Sequence, residues 1–146
     1  MKKEIIIHPH PLLRRKSVEV SSISTTISAS ITDLIDTLKS STGIGLAAPQ
    51  IGLEHSIFVM YHNNRVIKPY INPIIEKSSK KTVKFNEGCL SIPGVNVTIS
   101  RSAEITVSYI DMTSWNRVTE ELSGLLAIVA QHEIDHLKAK LIIDYL

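Results

Sequence analysis

Cysteine is almost missing from this chain, which has one, Cys89, among its 146 residues. A single cysteine cannot form an intramolecular disulfide, and in a reducing compartment it remains a free thiol, a metal ligand or a nucleophile. A chain of this length buries roughly 70% of the surface of its unfolded state, so a hydrophobic core can stabilise it without cross-links. We therefore expect one domain spanning residues 1–146, located in the cytoplasm.

Long apolar runs and an excess of one charge are missing as well. Residues 122–130 form the longest apolar stretch, but Ser123 and Gly124 interrupt it and it is far too short for a membrane span. Residues 5–7 are too few for the apolar segment of a secretory signal. The net charge of +2 is too small to indicate a nucleic-acid partner. The composition therefore predicts a soluble protein with no membrane and no direct nucleic-acid partner.

The spacing of apolar residues predicts an α+β fold. Residues 27–38 repeat at helical spacing, which predicts an amphipathic helix ending near Lys39. Residues 103–109 alternate between apolar and polar, and residues 118–122 are their predicted partner strand across a polar turn. Residues 82–85 alternate too. Strands this close in sequence are expected to pair in antiparallel fashion.

Two further features of the sequence predict where secondary-structure elements end or begin. The Asn72-Pro73 pair is expected to break whatever element precedes it. From Ser123 onward the apolar period becomes helical, which predicts a helix of about fifteen residues with Ser123 as its N-cap. The sequence thus predicts an early helix, an antiparallel β body and a late, buried helix that carries two histidines.

The late helix contains the pentapeptide HEIDH at residues 132–136. Histidines four residues apart share one face of a helix and can bind one metal ion, with Glu133 beside them as a base. The Cys89 thiolate would complete a three-ligand set and leave an open position, as catalytic metal sites do. The metal would then supply hydroxide near neutral pH to attack a carbonyl, and Glu133 would pass a proton to the leaving amine.

An apolar strip lies on the same helix face as the histidines. Leu125 and Val129 precede His132 at helical spacing, with Ile128 at the margin. A hydrophobic pocket beside a catalytic metal indicates hydrolysis of a substrate with an apolar side chain next to the reacting carbonyl.

Each signal also has a structural interpretation. An HExxH pentapeptide occurs by chance, and a lone cysteine is more often a buried apolar residue than a ligand. The glycine-rich residues 43–52 fit a tight, buried turn as well as a site where substrate approaches the backbone, with Gln50 as an amide donor. The coincidence of all three features in one small domain favours the metal site.

Together these segments resemble the peptide deformylase family in order and spacing. The matching stretches are GIGLAAPQ at 43–50, EGCLS at 87–91 and QHEIDHL at 131–137. The resemblance covers nearly the whole chain. It implies an α+β, peptide deformylase-like fold, with antiparallel β-sheets around a buried C-terminal helix that carries HExxH. It also implies removal of the N-formyl group from the N-terminal formylmethionine of newly made peptides, with release of formate.

The resemblance assigns the metal and the reaction to particular residues. Cys89, His132 and His136 would bind one divalent metal per chain, iron(II) in the cell, for which zinc, nickel or cobalt can substitute. Glu133 would be the general base and acid. The remaining catalytic groups would be Gln50 and the backbone N–H of Leu90, which would stabilise the oxyanion by ~3 kcal/mol each.

The resemblance also implies a substrate site. Gly45 would pair with the extended peptide as an added strand, and apolar residues would line the methionine pocket. The residues expected to bind substrate are Ile44, Gly45, Phe85, Glu87, Gly88, Leu125, Ile128 and Val129. Arg101 would orient Glu87 through an ion pair.

The chain departs from the family pattern at a few positions. Asn96 replaces a common arginine, which is expected to weaken a contact at the substrate edge. Ala139 replaces a usual glycine and Ile142 a usual phenylalanine, for which we expect local repacking. Many bacterial members continue beyond this point with a C-terminal helix that is implicated in ribosome docking in some of them, so we expect only transient proximity to the ribosome. A monomer in the cytoplasm of a bacterium or of a phage-infected bacterial host is the expected form.

Two other functions compete with this interpretation. One is a metal-dependent aminohydrolase or peptidase with a different substrate, which the apolar pocket residues argue against. The other is an inactive metal-binding homologue that serves as an interaction module, which the presence of Glu133, Gln50 and all three ligands argues against. A structural zinc site would normally use four protein ligands.

Overall fold

The computed structural model describes residues 1–63 and 65–146, and it shows an α+β fold. The helices in the described residues are α1 (Thr25–Lys39) and α2 (Gly124–Leu137), with short 3-10 turns at Pro11–Arg14, Ala48–Ile51 and Ile142–Tyr145. The strands are β1 (Gly45–Ala47), β2 (Ile57–Tyr61), β3 (Ile67–Ser78), β4 (Thr82–Cys89), β5 (Ile92–Ser102), β6 (Glu104–Ile110) and β7 (Arg117–Ser123).

The strands form two antiparallel sheets. The larger has the order β1-β2-β3-β6-β7, and β4 and β5 form a separate hairpin. β6 and β7 pair from Glu104↔Ser123 to Ile110↔Arg117, which confirms the strands and the antiparallel pairing that the alternation predicts. The alternation in residues 82–85 marks β4, whereas the long β5 has no clear period in the sequence.

The two helices pack on opposite faces of the larger sheet. Because side chains alternate along a strand, Ile57 and Val59 of β2 pack in the cluster that contains α1, whereas Phe58 and Met60 pack in the cluster that contains α2. Phe58 also stacks on Tyr70, with ring centroids 4.7 Å apart. This layering buries an apolar stripe of each helix, and that burial is the main source of stability.

The first helix matches its prediction closely. α1 ends at Lys39, and Ser24 caps its start by accepting a hydrogen bond from the Ile27 N–H at 3.2 Å. Its buried residues include Ile31 and Leu34, which repeat at helical spacing. The amphipathic pattern therefore reports a real core-facing stripe.

The expected break at Asn72-Pro73 is wrong, because β3 continues through this pair to Ser78. Asn72 instead adopts a left-handed φ of 49°, and the register with β6 shifts there, as in a β-bulge. Its side chain accepts from the Val20 N–H at 2.8 Å and donates to the Val20 carbonyl at 2.7 Å. A bulge tolerates proline because a ladder hydrogen bond is already lost.

The late helix begins and ends almost as predicted. Ser123 occupies the N-cap position of α2, but its side chain makes no capping hydrogen bond. Gly124 follows with a φ of 61°, a conformation that glycine adopts without the strain a Cβ brings. α2 lies between the large sheet and the hairpin, where Gln131 bonds the backbone of Ser102. Within the described residues, no helix is long and apolar enough to cross a lipid bilayer.

Candidate active site

Two neighbouring elements bring three metal-binding side chains together. Cys89 ends β4, and His132 and His136 lie one turn apart on α2. One ligand atom from each of the three lies within 4.8 Å of the others. The Cys89 Sγ and His136 Nε2 atoms are 3.4 Å apart. The two histidines that the sequence predicts on one helix face therefore lie next to the cysteine, close enough for all three to bind one metal ion.

A hydrogen bond orients one of these ligands, His132, for a metal. His132 Nδ1 lies 2.8 Å from Glu87 Oε1, which leaves the other ring nitrogen free to face Cys89. A carboxylate behind a histidine in this way fixes the ring and raises its basicity as a ligand. Sulfur and imidazole donors suit iron, zinc, nickel or cobalt, and do not suit magnesium or calcium. The residues present therefore fit a catalytic transition-metal ion.

The electrostatics of the site also favour a cation. Burial lowers the pKa of the His132 imidazole, but the hydrogen bond with Cys89, the charge of Glu133 and the hydrogen bond with Glu87 raise it overall to about 10. The negative groups that stabilise a proton on His132 would also stabilise a metal cation bound beside it. Burial lowers the pKa of His136 well below its ordinary value, so this imidazole is neutral, as a ligand must be.

Glu133 is buried beside the ligands. Its side chain is 3% exposed, and burial raises its pKa to about 7, although the charges of His132 and Arg101 act in the opposite direction. Its Oε1 atom is buried and has no hydrogen-bond partner within the described part of the chain. A buried, unpartnered carboxylate oxygen next to a metal site is placed to exchange a proton.

A buried ion-pair network supports the Glu87–His132 contact. Arg101 bonds both carboxylate oxygens of Glu87, at 2.7 Å and 2.8 Å. Burial alone would raise the pKa of Glu87, but the hydrogen bonds from Arg101 and His132 lower it. Glu87 is therefore ionised at neutral pH.

The network continues to residues that the sequence analysis did not assign. Arg101 donates to Asp135 Oδ2 at 2.7 Å, and the Tyr145 hydroxyl donates to the same oxygen at 2.6 Å. Tyr145 also lies 3.1 Å from Arg101 Nη1. Asp135 lies within the HEIDH segment, so the sequence marked it as close to the metal site. No pattern in the sequence pointed to Tyr145.

Gln50 lies close to the cysteine ligand. Its Oε1 accepts from the Ala47 N–H at 2.9 Å, and its Nε2 donates to Ser91 Oγ at 3.1 Å. Nε2 is also 3.8 Å from Cys89 Sγ. The amide donor therefore faces the metal site, and the neighbouring Leu90 lines the same space from the turn after β4.

The glycine-rich segment at residues 43–52 is a tight, buried turn and also allows a close approach to the active site, the two interpretations that the sequence left open. Ala47, Ala48 and Gln50 are buried, as in a tight turn. A Cβ at Gly45 would lie 2.8 Å from Glu133 Oε2 and 2.9 Å from Val129 Cγ1. Gly45 is thus also needed for the close approach of β1 to Glu133.

A cleft of about 480 Å³ opens in front of these groups. Every residue expected to bind substrate lines it, namely Ile44, Gly45, Phe85, Glu87, Gly88, Leu125, Ile128 and Val129. Ile44, Phe85 and Leu125 remain 39%, 40% and 44% exposed. Partly exposed apolar side chains around a concave site are typical of a surface that awaits a ligand.

Part of the cleft wall was not assigned from the sequence. Thr42, Ile92, Pro93 and Val95 also line it. The last three lie in β5, which folds back on β4 so that Ile92 pairs with Cys89. No local pattern in the sequence shows that this strand returns to the site; only the resemblance pointed to it, through Asn96, which also lines the cleft.

Comparisons with known proteins agree with this geometry. The profile of the polypeptide deformylase family matches residues 2–146. A curated peptide deformylase of Karelsulcia muelleri is 40% identical over 96% of this chain and 76% of its own length. A curated peptide deformylase of Rhizobium meliloti is 40% identical over 99% of this chain and 84% of its own length.

Solved structures show the same fold. The crystal structure of peptide deformylase from Thermotoga maritima superposes with a TM-score of 0.94 at 38% identity, covering 100% of this chain and 98% of that one. A probable peptide deformylase from the Synechococcus phage S-SSM7 superposes with a TM-score of 0.93 at 34% identity, covering 99% of this chain and 100% of that one.

A cysteine and two histidines next to a buried glutamate, at the mouth of an apolar cleft, define the site of a metal-dependent hydrolase. The fold, the family profile and the relatives narrow this class further. The chain belongs to the peptide deformylase family.

Proposed function

We propose that this chain is a metal-dependent peptide deformylase that removes the N-formyl group from N-terminal formylmethionine and releases formate. The single observation that carries the proposal is the convergence of Cys89, His132 and His136 beside the buried Glu133, at the mouth of an apolar cleft. Family membership supports the same reaction.

Cys89, His132 and His136 would hold one divalent metal, for which we propose iron(II) in the cell. The thiolate and two neutral imidazoles are compatible with iron, and also with zinc, nickel or cobalt as substitutes. When bound, such an ion acts as a Lewis acid and lowers the pKa of water. Glu87 and Arg101 keep the His132 ring in its ligand orientation.

Glu133 moves the protons of the reaction. Its buried and unpartnered Oε1 accepts a proton from the attacking water and then delivers it to the leaving amine. Gly45 leaves room for this carboxylate, because a Cβ at that position would lie 2.8 Å from Glu133 Oε2. The peptide product leaves with a free amino group, and the formyl carbon leaves as formate.

Gln50 and Leu90 stabilise the negative charge that develops on the formyl oxygen. The Gln50 amide already points toward the cysteine side of the site, and the backbone N–H of Leu90 follows the ligand Cys89 directly. Donors fixed in advance in this way typically contribute ~3 kcal/mol each to transition-state stabilisation.

The substrate peptide binds as an extended strand. β1 is an edge strand of the larger sheet, so the peptide backbone can pair with Gly45 on its open side. The methionine side chain enters the apolar part of the cleft that Leu125, Ile128 and Val129 line. The backbone pairing is independent of peptide sequence, and the pocket selects the methionine.

We further propose that residues 1–146 act as one catalytic domain, as a monomer in the cytoplasm. The lone free cysteine supports a reducing compartment. Several exposed large apolar side chains, including Ile44, Phe85 and Leu125, line the cleft, where a substrate would cover them.

Formate release from formyl-Met-Ala-Ser tests the proposal, on protein loaded anaerobically with iron(II) or with nickel. We expect release that stops when a chelator removes the metal. Acetyl-Met-Ala-Ser and unformylated Met-Ala-Ser are the matched controls, because a metallopeptidase with another substrate would cleave the latter. No release from protein that holds one metal per chain would contradict the proposal.

A further inference from the structure

The Gln50 amide is held by two partners on opposite sides. Its Oε1 accepts from the Ala47 N–H at 2.9 Å, and its Nε2 donates to Ser91 Oγ at 3.1 Å. Gln50 is 2% exposed, and Ser91 has no exposed surface. Neither hydrogen bond therefore competes with bulk water, which makes both strong constraints on the amide.

The Ala47 contact decides which end of the amide faces the site. A backbone N–H can only donate, so the atom opposite Ala47 must be the carbonyl oxygen of Gln50. The amide nitrogen then points the other way and has two N–H donors. One is used by Ser91, and the nitrogen lies 3.8 Å from the Cys89 sulfur. The second donor is consequently directed toward the metal ligands.

The position of Ser91 does not depend on its own hydroxyl. Ser91 lies in the turn between β4 and β5, and its carbonyl accepts from the His8 N–H at 2.8 Å. The turn is also closed by the pairing of Cys89 with Ile92. Removing the hydroxyl therefore leaves the backbone in place and releases the nitrogen end of the Gln50 amide, while the Ala47 N–H still holds the oxygen end.

We propose that Ser91 is a positioning residue of the active site, whose hydroxyl holds the Gln50 amide nitrogen so that its second N–H, which donates toward Cys89 Sγ here, is placed to meet the reacting carbonyl. Ser91 itself does not touch substrate. The inference rests on the proposed function, because it concerns the group that stabilises the developing charge.

A double-mutant cycle tests this role. We expect Ser91→Ala to lower kcat about tenfold with little change in KM, because losing a whole oxyanion donor costs about 100- to 1,000-fold and here the donor is only misdirected. In a Gln50→Ala background, Ser91→Ala should have no further effect on kcat. An equal fall in both backgrounds, or an unchanged kcat in the single variant, would overturn the proposal.

Two controls separate positioning from general damage. Ser30→Ala removes another buried serine, whose hydroxyl donates to the Thr26 carbonyl in α1, and it should leave kcat unchanged. Ser91→Thr keeps a hydroxyl at the critical position and should restore kcat to within a few-fold of the original. Persistent loss of kcat in Ser91→Thr, with the unfolding midpoint maintained, would count against the hydroxyl as the active group.

Hydrogen exchange of the Gln50 side-chain amide tests the inference without relying on enzyme turnover. In the zinc-loaded protein, we expect one side-chain amide proton of Gln50 to exchange slowly with solvent and the other to exchange faster. Ser91→Ala should accelerate the slow one while zinc content stays at one per chain. Equal, fast exchange in the unsubstituted protein would refute the proposal even if the variants fail to fold. Absence of deformylase activity in the unsubstituted protein would instead refute the proposed function.

Discussion

Glu87 and Glu120 are both acidic side chains surrounded by donors, yet they lie in different parts of the molecule. Glu87 is 4% exposed and bonds Arg101 and His132. Glu120, on β7, is 20% exposed and bonds the Tyr70 hydroxyl at 2.7 Å, His62 at 2.9 Å and Lys68 at 3.3 Å. The donor count is similar, but only Glu87 contacts a metal-binding side chain.

The comparison shows that hydrogen bonding alone does not mark a functional acid. Both carboxylates are held ionised, and both are tied to a tyrosine, Glu120 directly and Glu87 through Arg101 and Asp135. Changes around Glu87 should therefore alter metal binding as well as stability, whereas changes around Glu120 should alter stability alone. The predictions below test that difference.

Arg101→Leu should have the largest effect. It leaves the buried Glu87 charge without its main partner, and breaking a buried pair in this way costs about 3–5 kcal/mol in the free energy of unfolding. Metal affinity should fall about 10- to 100-fold, because Glu87 no longer holds His132. Urea unfolding and nickel titration measure the two effects. Lys68→Leu, the matched change beside Glu120, should leave nickel affinity unchanged.

Tyr145→Phe and Tyr70→Phe form a matched pair. Each removes a tyrosine hydroxyl that donates to a carboxylate, at 2.6 Å and 2.7 Å, and each should lower the free energy of unfolding by about 1.5–3 kcal/mol. Only Tyr145→Phe should also weaken nickel binding, because Asp135 is part of the network that orients Glu87. Equal nickel affinities in the two variants would show that the network ends before Tyr145.

Glu120 should make stability sensitive to acid. Burial alone would raise the pKa of Glu120, but hydrogen bonds from Tyr70 and His62 and the charge of Lys68 lower it below its ordinary value of 4.5. Its contribution to the free energy of unfolding is therefore fully present above pH 4.5 and is lost as the pH falls through the lower folded-state pKa. Glu120→Gln should lack this part of the pH dependence. Parallel curves for the two proteins below pH 4.5 would refute the assignment.

Ala139→Gly should have the smallest effect and should be stabilising. Ala139 follows the end of α2 with a φ of 64°, a left-handed conformation that costs a residue with a Cβ about 1–2 kcal/mol. Glycine removes that strain, so the thermal unfolding midpoint should rise. Lys138→Gly is the control, since Lys138 has a φ of −99° and should be destabilised by glycine. A lower midpoint for Ala139→Gly would contradict this account.

The features of the fold that depend on local spacing could be predicted from the sequence. α1, the β6–β7 pair and the start of α2 follow from apolar periodicity, and the HEIDH spacing places both histidines on one face of a helix. The bulge at Asn72 could not be predicted, because it depends on the hydrogen bonds between its side chain and Val20. That partner lies far away in the chain.

In the candidate site, too, some residues could be predicted from local sequence and others could not. The ligands and Glu133 are marked by residue type and spacing, and the resemblance adds Gln50 and Arg101. The roles of Ser91 and Tyr145 depend on which side chains the β4–β5 hairpin and the final 3-10 turn bring next to Gln50 and Asp135. Such contacts are made between distant parts of the chain, so no local pattern reports them.

The measurement that tests the central claim most directly is turnover and metal content in Glu133→Gln. The substitution keeps the size of the side chain and leaves Cys89, His132 and His136 intact. The account predicts one metal per chain and a fall of at least ~100-fold in formate release from formyl-Met-Ala-Ser, because proton transfer by a positioned side chain typically contributes that much. Near-normal release, or loss of the metal, would contradict it.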